Sequence, residues 1–128
     1  MGQPKRILVI EDHDDQRAIA AVFLEHFGFV VETATSAREG LQRARAEPPD
    51  LVVLDLMMPD VDGPGAFALL RAEPATAAVP VVAFSGYTDL FTGRLEGYAA
   101  VLPKTAGLER LLAVVRSTLG LESAAAAG

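Results

Sequence analysis

Asp50-Leu51-Val52-Val53-Leu54-Asp55-Leu56-Met57-Met58-Pro59-Asp60-Val61-Asp62-Gly63 is the stretch on which the reading of this chain turns. Leu51 to Leu54 form a short, unbroken apolar run. A run without alternation suits a strand covered on both faces, as in a parallel sheet. The run ends directly on a carboxylate, Asp55, and then passes into a loop built on Pro59, Asp62, Gly63, Pro64 and Gly65.

Working outward, the same alternation of strand and helix repeats. Ile7 to Ile10 is a second unbroken apolar run, and residues 14–27 carry Ile19, Val22, Phe23 and Phe27 at helical spacing before Gly28 stops them. Phe29 to Thr33 reads as a strand. Ser36 with Glu39 three residues on forms a capping-box pattern for a helix through Leu41 and Ala44, ended by Pro48-Pro49. Beyond the central stretch, a helix over 64–72 carries Phe67 and Leu70, and Val79 to Phe84 is a fourth strand. A short helix is expected over 88–96, and Val101-Leu102 end a weak fifth strand. Leu108, Leu111, Leu112, Val115 and Leu119 mark a last helix that stops at Gly120. Five strand–helix pairs in alternation imply a three-layer, doubly wound α/β fold: a parallel sheet covered by helices on both faces through right-handed crossovers.

The bulk composition fits one such domain. The chain has 128 residues, 51% of them hydrophobic and 22% charged, a globular composition. No apolar run approaches the roughly 20 residues of a spanning helix. Only Ile7 to Ile10 follow the basic start before Glu11, too short for the apolar part of a signal peptide. Arg6, where myristoylation needs Ser or Thr, argues against that modification of Gly2. Cysteine is absent, which excludes disulfides, thiolate metal sites and cysteine nucleophiles. The expected location is therefore the cytoplasm, with no membrane association. A net charge of −6 argues against direct nucleic-acid binding by this domain.

In an open parallel sheet, ligands bind beyond the carboxyl ends of the strands. Glu11-Asp12 follow the first strand, Asp55 the third, Ser85 the fourth and Lys104 the fifth. Taken singly, each has an ordinary explanation: a helix cap, a strand-end Asp, a Ser-Gly turn, a surface lysine. Four strand ends delivering three carboxylates, a hydroxyl and an amine to one edge is a different matter. Crowded carboxylates repel, so a divalent cation should bind among them, and all-oxygen ligation favours Mg²⁺, with Mn²⁺ as a substitute. A carboxylate can act as a nucleophile toward phosphorus. Metal, lysine and hydroxyl would then stabilise the phosphoryl oxygens.

Ile7-Leu8-Val9-Ile10-Glu11-Asp12, the segment Asp50 to Gly63, Pro80-Val81-Val82-Ala83-Phe84-Ser85-Gly86 and Leu102-Pro103-Lys104 together resemble the successive motifs of response-regulator receiver domains. The resemblance covers residues 5–120 and leaves 121–128 as an Ala-rich, flexible tail. It implies the flavodoxin-like fold: five parallel strands in order 2-1-3-4-5 with five helices. It implies Asp55 as phosphoacceptor, and Glu11, Asp12, Asp55 and the Met57 backbone carbonyl around Mg²⁺. Lys104 would meet the phosphoryl group, and Ser85 would be the switch hydroxyl. It also implies a binding switch rather than an enzyme, fed by a histidine kinase or histidine phosphotransfer protein, as a monomer or a weak, phosphorylation-dependent dimer. In this family the side chains two positions after the phosphoacceptor and after the switch hydroxyl tune phosphoryl lifetime; here they are Met57 and Tyr87.

Three departures stand out. Val101 occupies the position of the family's switch aromatic, and Tyr98 does not fill it by register. Thr105 replaces the proline after the lysine, so a cis bond there would cost about 3 kcal/mol or more. The interval from Ser85 to Lys104 is shorter than usual, so the fourth helix should lack nearly a turn. A haloacid-dehalogenase-like phosphohydrolase would need an acid where Met57 stands. A flavodoxin-like electron carrier would need a phosphate cradle where Glu11-Asp12-His13-Asp14-Asp15 stand. His13 and His26 follow no ligand spacing and read as surface residues, and no phosphodonor histidine motif is present.

Overall fold

The structure, a computed structural model, describes residues 3–121. Five strands form one parallel sheet: β1 (Arg6–Ile10), β2 (Val30–Ala34), β3 (Leu51–Leu54), β4 (Val81–Ser85) and β5 (Ala100–Pro103), in the order β2-β1-β3-β4-β5. The expected strand order is therefore the observed one. Register places Ile7 opposite Leu51 and Ile10 opposite Leu54, and Leu54 opposite Ala83.

The unbroken apolar runs are explained by two cores, one on each face. Ile7, Val9, Leu51, Val53, Val82 and Phe84 pack against Ala20 and Leu24 of α1 (Asp14–His26) and Leu111, Leu112 and Val115 of α4 (Leu108–Thr118). Leu8, Ile10, Val52, Leu54 and Val81 pack against Ala37 and Ala44 of α2 (Ala37–Ala46) and Ala66 and Leu70 of α3 (Gly63–Ala72). Alternate residues of each central strand thus serve opposite layers.

The start of α2 is capped twice. Ser36 Oγ accepts from the Glu39 amide at 3.1 Å, and the Glu39 carboxylate reaches back to Thr35 rather than to Ser36 itself. Asp60, from the loop after β3, accepts from the Ala37 and Arg38 amides at 3.1 and 3.0 Å. Two of the four orphan N–H groups at this helix start are therefore satisfied from a distant loop.

The expectation of five helices is corrected to four α-helices among the described residues. Over 88–96 only a 3₁₀ turn, Thr88–Phe91, forms. Gly93 and Gly97 lie at φ +83° and +93°, a left-handed conformation that ends a helix rather than continuing it. The turn is still anchored, because buried Phe91 packs with Leu56 and Ala83. A second 3₁₀ turn, Lys104–Ala106, leads from β5 into α4. The described peptide bonds are all trans, including the one before Thr105. The Ala-rich tail from Glu122 lies outside the described residues.

Candidate functional site

Because all five strands run the same way, β1, β3, β4 and β5 end on one edge. Backbone bonds carry the ladder just past the strands: the Asp55 amide donates to Ile10 O at 3.1 Å and the Glu11 amide to Ala34 O at 3.0 Å. The two carboxylates are thereby fixed by backbone. Both are buried, each with 4% of its surface exposed, although they stand at the rim of the sheet.

Ser85, fully buried, donates its hydroxyl to Asp55 Oδ1 at 2.6 Å. The direction of that bond is set from behind, because the Tyr87 amide donates into Ser85 Oγ at 3.1 Å. The Met57 amide also donates to Asp55 Oδ1, at 3.2 Å. Both bonds therefore land on the same oxygen. Burial pushes the Asp55 carboxyl above its ordinary range, the Ser85 bond pulls it back, and the Glu11 charge raises it again. A carboxylate in this position calls for a positive partner.

Lys104 Nζ lies 2.6 Å from Glu11 Oε1 and also bonds Gln16 Oε1. The other Glu11 oxygen accepts from the His13 amide at 3.1 Å. Arg17 holds the loop from below, donating to Glu11 O at 3.0 Å while pairing with Asp14 at 2.6 Å. Asp12 is half-buried, and its Oδ1 is buried with no hydrogen-bond partner.

One ligand atom each from Glu11, Asp12, His13 and Asp55 lie within 4.8 Å of one another. Three crowded carboxylates with an orphaned buried oxygen fit a divalent cation, and the predominance of oxygen fits a hard one. Glu11, Gln16, Asp55, Phe84 and Lys104 open onto a pocket of about 210 Å³ that runs between α1 and α4.

The sequence-derived residues Glu11, Asp12, Asp55, Ser85 and Lys104 thus meet as expected, and Met57 joins them through its amide. His13 is exposed, as expected of a surface residue, and its ring lies beside the acidic pair. Gln16 and Arg17 were not foreseen; their only trace in sequence is a place in the first turn of α1, just after the acidic pair. Val101 packs with Leu56, Ala83 and Phe91, so the switch-aromatic position is filled by an aliphatic side chain. Tyr98 stacks on Phe67 at 4.4 Å between ring centroids and donates its hydroxyl to Gly63 O at 3.0 Å. Its ring is committed to α3.

Comparison with known proteins agrees with this geometry. The family model "Response regulator receiver domain" matches residues 7–116. The probable transcriptional regulator ycf27 of Porphyridium aerugineum is 37% identical over 117 residues, covering 91% of this chain and 49% of that protein. The chain thus spans about half the length of the ycf27 relatives. Protein PilH of Pseudomonas aeruginosa is 31% identical over 117 residues, covering 89% of this chain and 97% of PilH. Among solved structures, the receiver domain of the hybrid histidine kinase CckA superposes with a TM-score of 0.75 at 32% identity, over 89% of this chain and 98% of that one. The chain belongs to the response-regulator receiver family.

Proposed function

We propose that the unit spanning residues 5–120 accepts a phosphoryl group on Asp55 from a phosphohistidine of a histidine kinase or histidine phosphotransfer protein. The observation that carries this reading is the buried Asp55 carboxylate, whose Oδ1 takes both the Ser85 and Met57 bonds. Those bonds orient the group and leave Oδ2 as the nucleophile. A carboxylate oxygen–phosphorus bond forms while the imidazole–phosphorus bond breaks, and the imidazole leaves.

Glu11, Asp12, Asp55 and the Met57 carbonyl would hold Mg²⁺, or Mn²⁺ in its place, which when bound supplies positive charge to the transferring phosphoryl oxygens. Lys104 sits beside the same carboxylates and supplies a second cation once released from Glu11. Ser85 changes partner: its hydroxyl, now on Asp55 Oδ1, turns to a phosphoryl oxygen. The Ser85–Tyr87 loop moves with it, because the Tyr87 amide is bonded to the same Oγ. The chain therefore works as a phosphorylation-controlled binding switch in the cytoplasm, as a monomer or weak phosphorylation-dependent dimer. Its catalysis is confined to its own phosphorylation and slow dephosphorylation. Among the described residues no helix is long and apolar enough to cross a membrane.

The test is mass spectrometry after incubation with acetyl phosphate and Mg²⁺. One phosphate is expected on the wild type and none on Asp55→Asn. A phosphate retained by Asp55→Asn would place the acceptor elsewhere.

A further inference from the structure

His13 is the N-cap of α1, a position where Ser, Thr, Asp or Asn normally bonds an amide of the first turn with its side chain. The His13 side chain makes no such bond. Its Nδ1 lies instead 3.2 Å from Glu11 Oε2 and 3.4 Å from Asp12 Oδ1. The second of these oxygens is the buried one without a hydrogen-bond partner. The ring therefore gives up a capping role to face the carboxylates.

Glu11 is already engaged at both oxygens, by Lys104 and by the His13 amide. Until Lys104 releases Glu11, Asp12 and Asp55 are the carboxylates with the freer oxygens, and one ring nitrogen stands beside them. The donor atoms lie within 4.8 Å of one another. Ligands sharing one cation at bond lengths of about 2.0–2.2 Å sit roughly 3–4 Å apart. A modest turn of two partly exposed side chains, His13 and Asp12, closes the difference.

We propose that His13 is a nitrogen ligand of the cation held by Asp12 and Asp55, and that it shifts the preference of the site from Mg²⁺ toward divalent transition metals. The proposal rests on the reading of the acidic cluster as a metal site. Mg²⁺ prefers oxygen and gains little from imidazole, whereas Mn²⁺, Co²⁺ and Zn²⁺ accept it, with affinity rising along that series.

The experiment uses the full chain at neutral pH with Mn²⁺, Co²⁺ or Mg²⁺ alone, and the variants His13→Ser and His26→Asn. Serine is a good N-cap, so α1 is kept. Electron spin-echo modulation of bound Mn²⁺ should show a nitrogen coupling in wild type and His26→Asn that disappears in His13→Ser. Calorimetry should show Co²⁺ affinity falling about tenfold or more in His13→Ser, while Mg²⁺ affinity changes less than about twofold. Bound Mn²⁺ without nitrogen coupling, or equal losses for Co²⁺ and Mg²⁺, overturns the role of His13. A wild type that binds none of the three cations overturns the metal-site reading itself.

Discussion

The Lys104 ammonium and the Glu11 carboxylate meet at 2.6 Å across the mouth of the site, joining the end of β5 to the end of β1. Glu11 is almost fully buried, and Lys104 keeps about a quarter of its side chain exposed. Breaking a buried pair from one side leaves the other charge without compensation. Lys104→Ala should therefore lower the thermal midpoint of the cation-free protein, and added Mg²⁺ should recover much of the loss by neutralising Glu11 and its neighbours. Mg²⁺ affinity should be kept or rise, while phosphorylation by acetyl phosphate slows by about tenfold or more, since a charge that meets the phosphoryl group is gone. Weakened Mg²⁺ binding in calorimetry would show that the lysine serves the cation site instead.

Asp55 predicts a pH dependence with a definite sign. Its carboxyl is held above its ordinary value of 3.8 chiefly by burial, with Glu11 adding to the shift against the Ser85 bond. A group raised in the folded state leaves stability intact below its unfolded pKa and removes it as pH rises through the folded value. At neutral pH the ionised Asp55 is thus a cost to the cation-free fold. Asp55→Asn should melt higher than wild type at pH 7 without divalent cations, and the gap should close in acid and on adding Mg²⁺. Equal melting of the two proteins at pH 7 without cations would contradict the burial argument.

Asp60 predicts the opposite sign at a place remote from the chemistry. Burial raises its carboxyl, but amide bonds from Arg38 and Ala37 outweigh that and hold it below the ordinary range. Its contribution is present above the unfolded pKa and is lost as acid protonates it. Asp60→Ala should destabilise the fold by about 1 kcal/mol, the usual worth of a helix cap, with phosphorylation of Asp55 retained. Urea melts at pH 7 and at pH 3 check it: the difference between variant and wild type should shrink at the lower pH.

The layers of this fold were legible because burial on both faces writes unbroken apolar runs, and Ile7–Ile10 and Leu51–Leu54 are just that. The site was legible because parallel strands bring their carboxyl ends together, so the residues after each run could be read as neighbours. What escaped the sequence depended on distances between segments far apart in the chain. Asp60 reads as a turn residue, yet it caps a helix that precedes it by more than twenty positions. His13 has no ligand spacing, because the carboxylates its ring meets are its immediate neighbours Glu11 and Asp12. Over 88–96 a short helix is expected from the alternation of elements, but Gly93 and Gly97 take left-handed conformations that the alternation does not reveal.

Phosphoryl lifetime depends on where water stands, and the two side chains that the family resemblance assigns to that task are Met57 and Tyr87. Both are on the surface here, 38% and 43% exposed, at the rim of the site. Met57 is anchored to Asp55 through its amide, and Tyr87 to Ser85 in the same way. The backbone of each is thus fixed beside the reacting groups while its side chain is exposed to solvent. Neither side chain carries a carboxylate or amide able to hold a water in line with phosphorus, and the Tyr87 ring can shield that approach. In-line positioning of water is a large part of phosphoryl hydrolysis. We therefore predict a slowly decaying phospho-Asp55. With the donor removed, Met57→Asn/Tyr87→Glu should lose phosphate about tenfold faster or more than wild type, since general-base positioning of this kind contributes roughly 10²–10⁴-fold when fully developed. Mass spectrometry of the phosphorylated fraction over time measures both rates. Equal decay of the two proteins would show that some other feature, such as the bound cation or the Ser85 loop, limits hydrolysis.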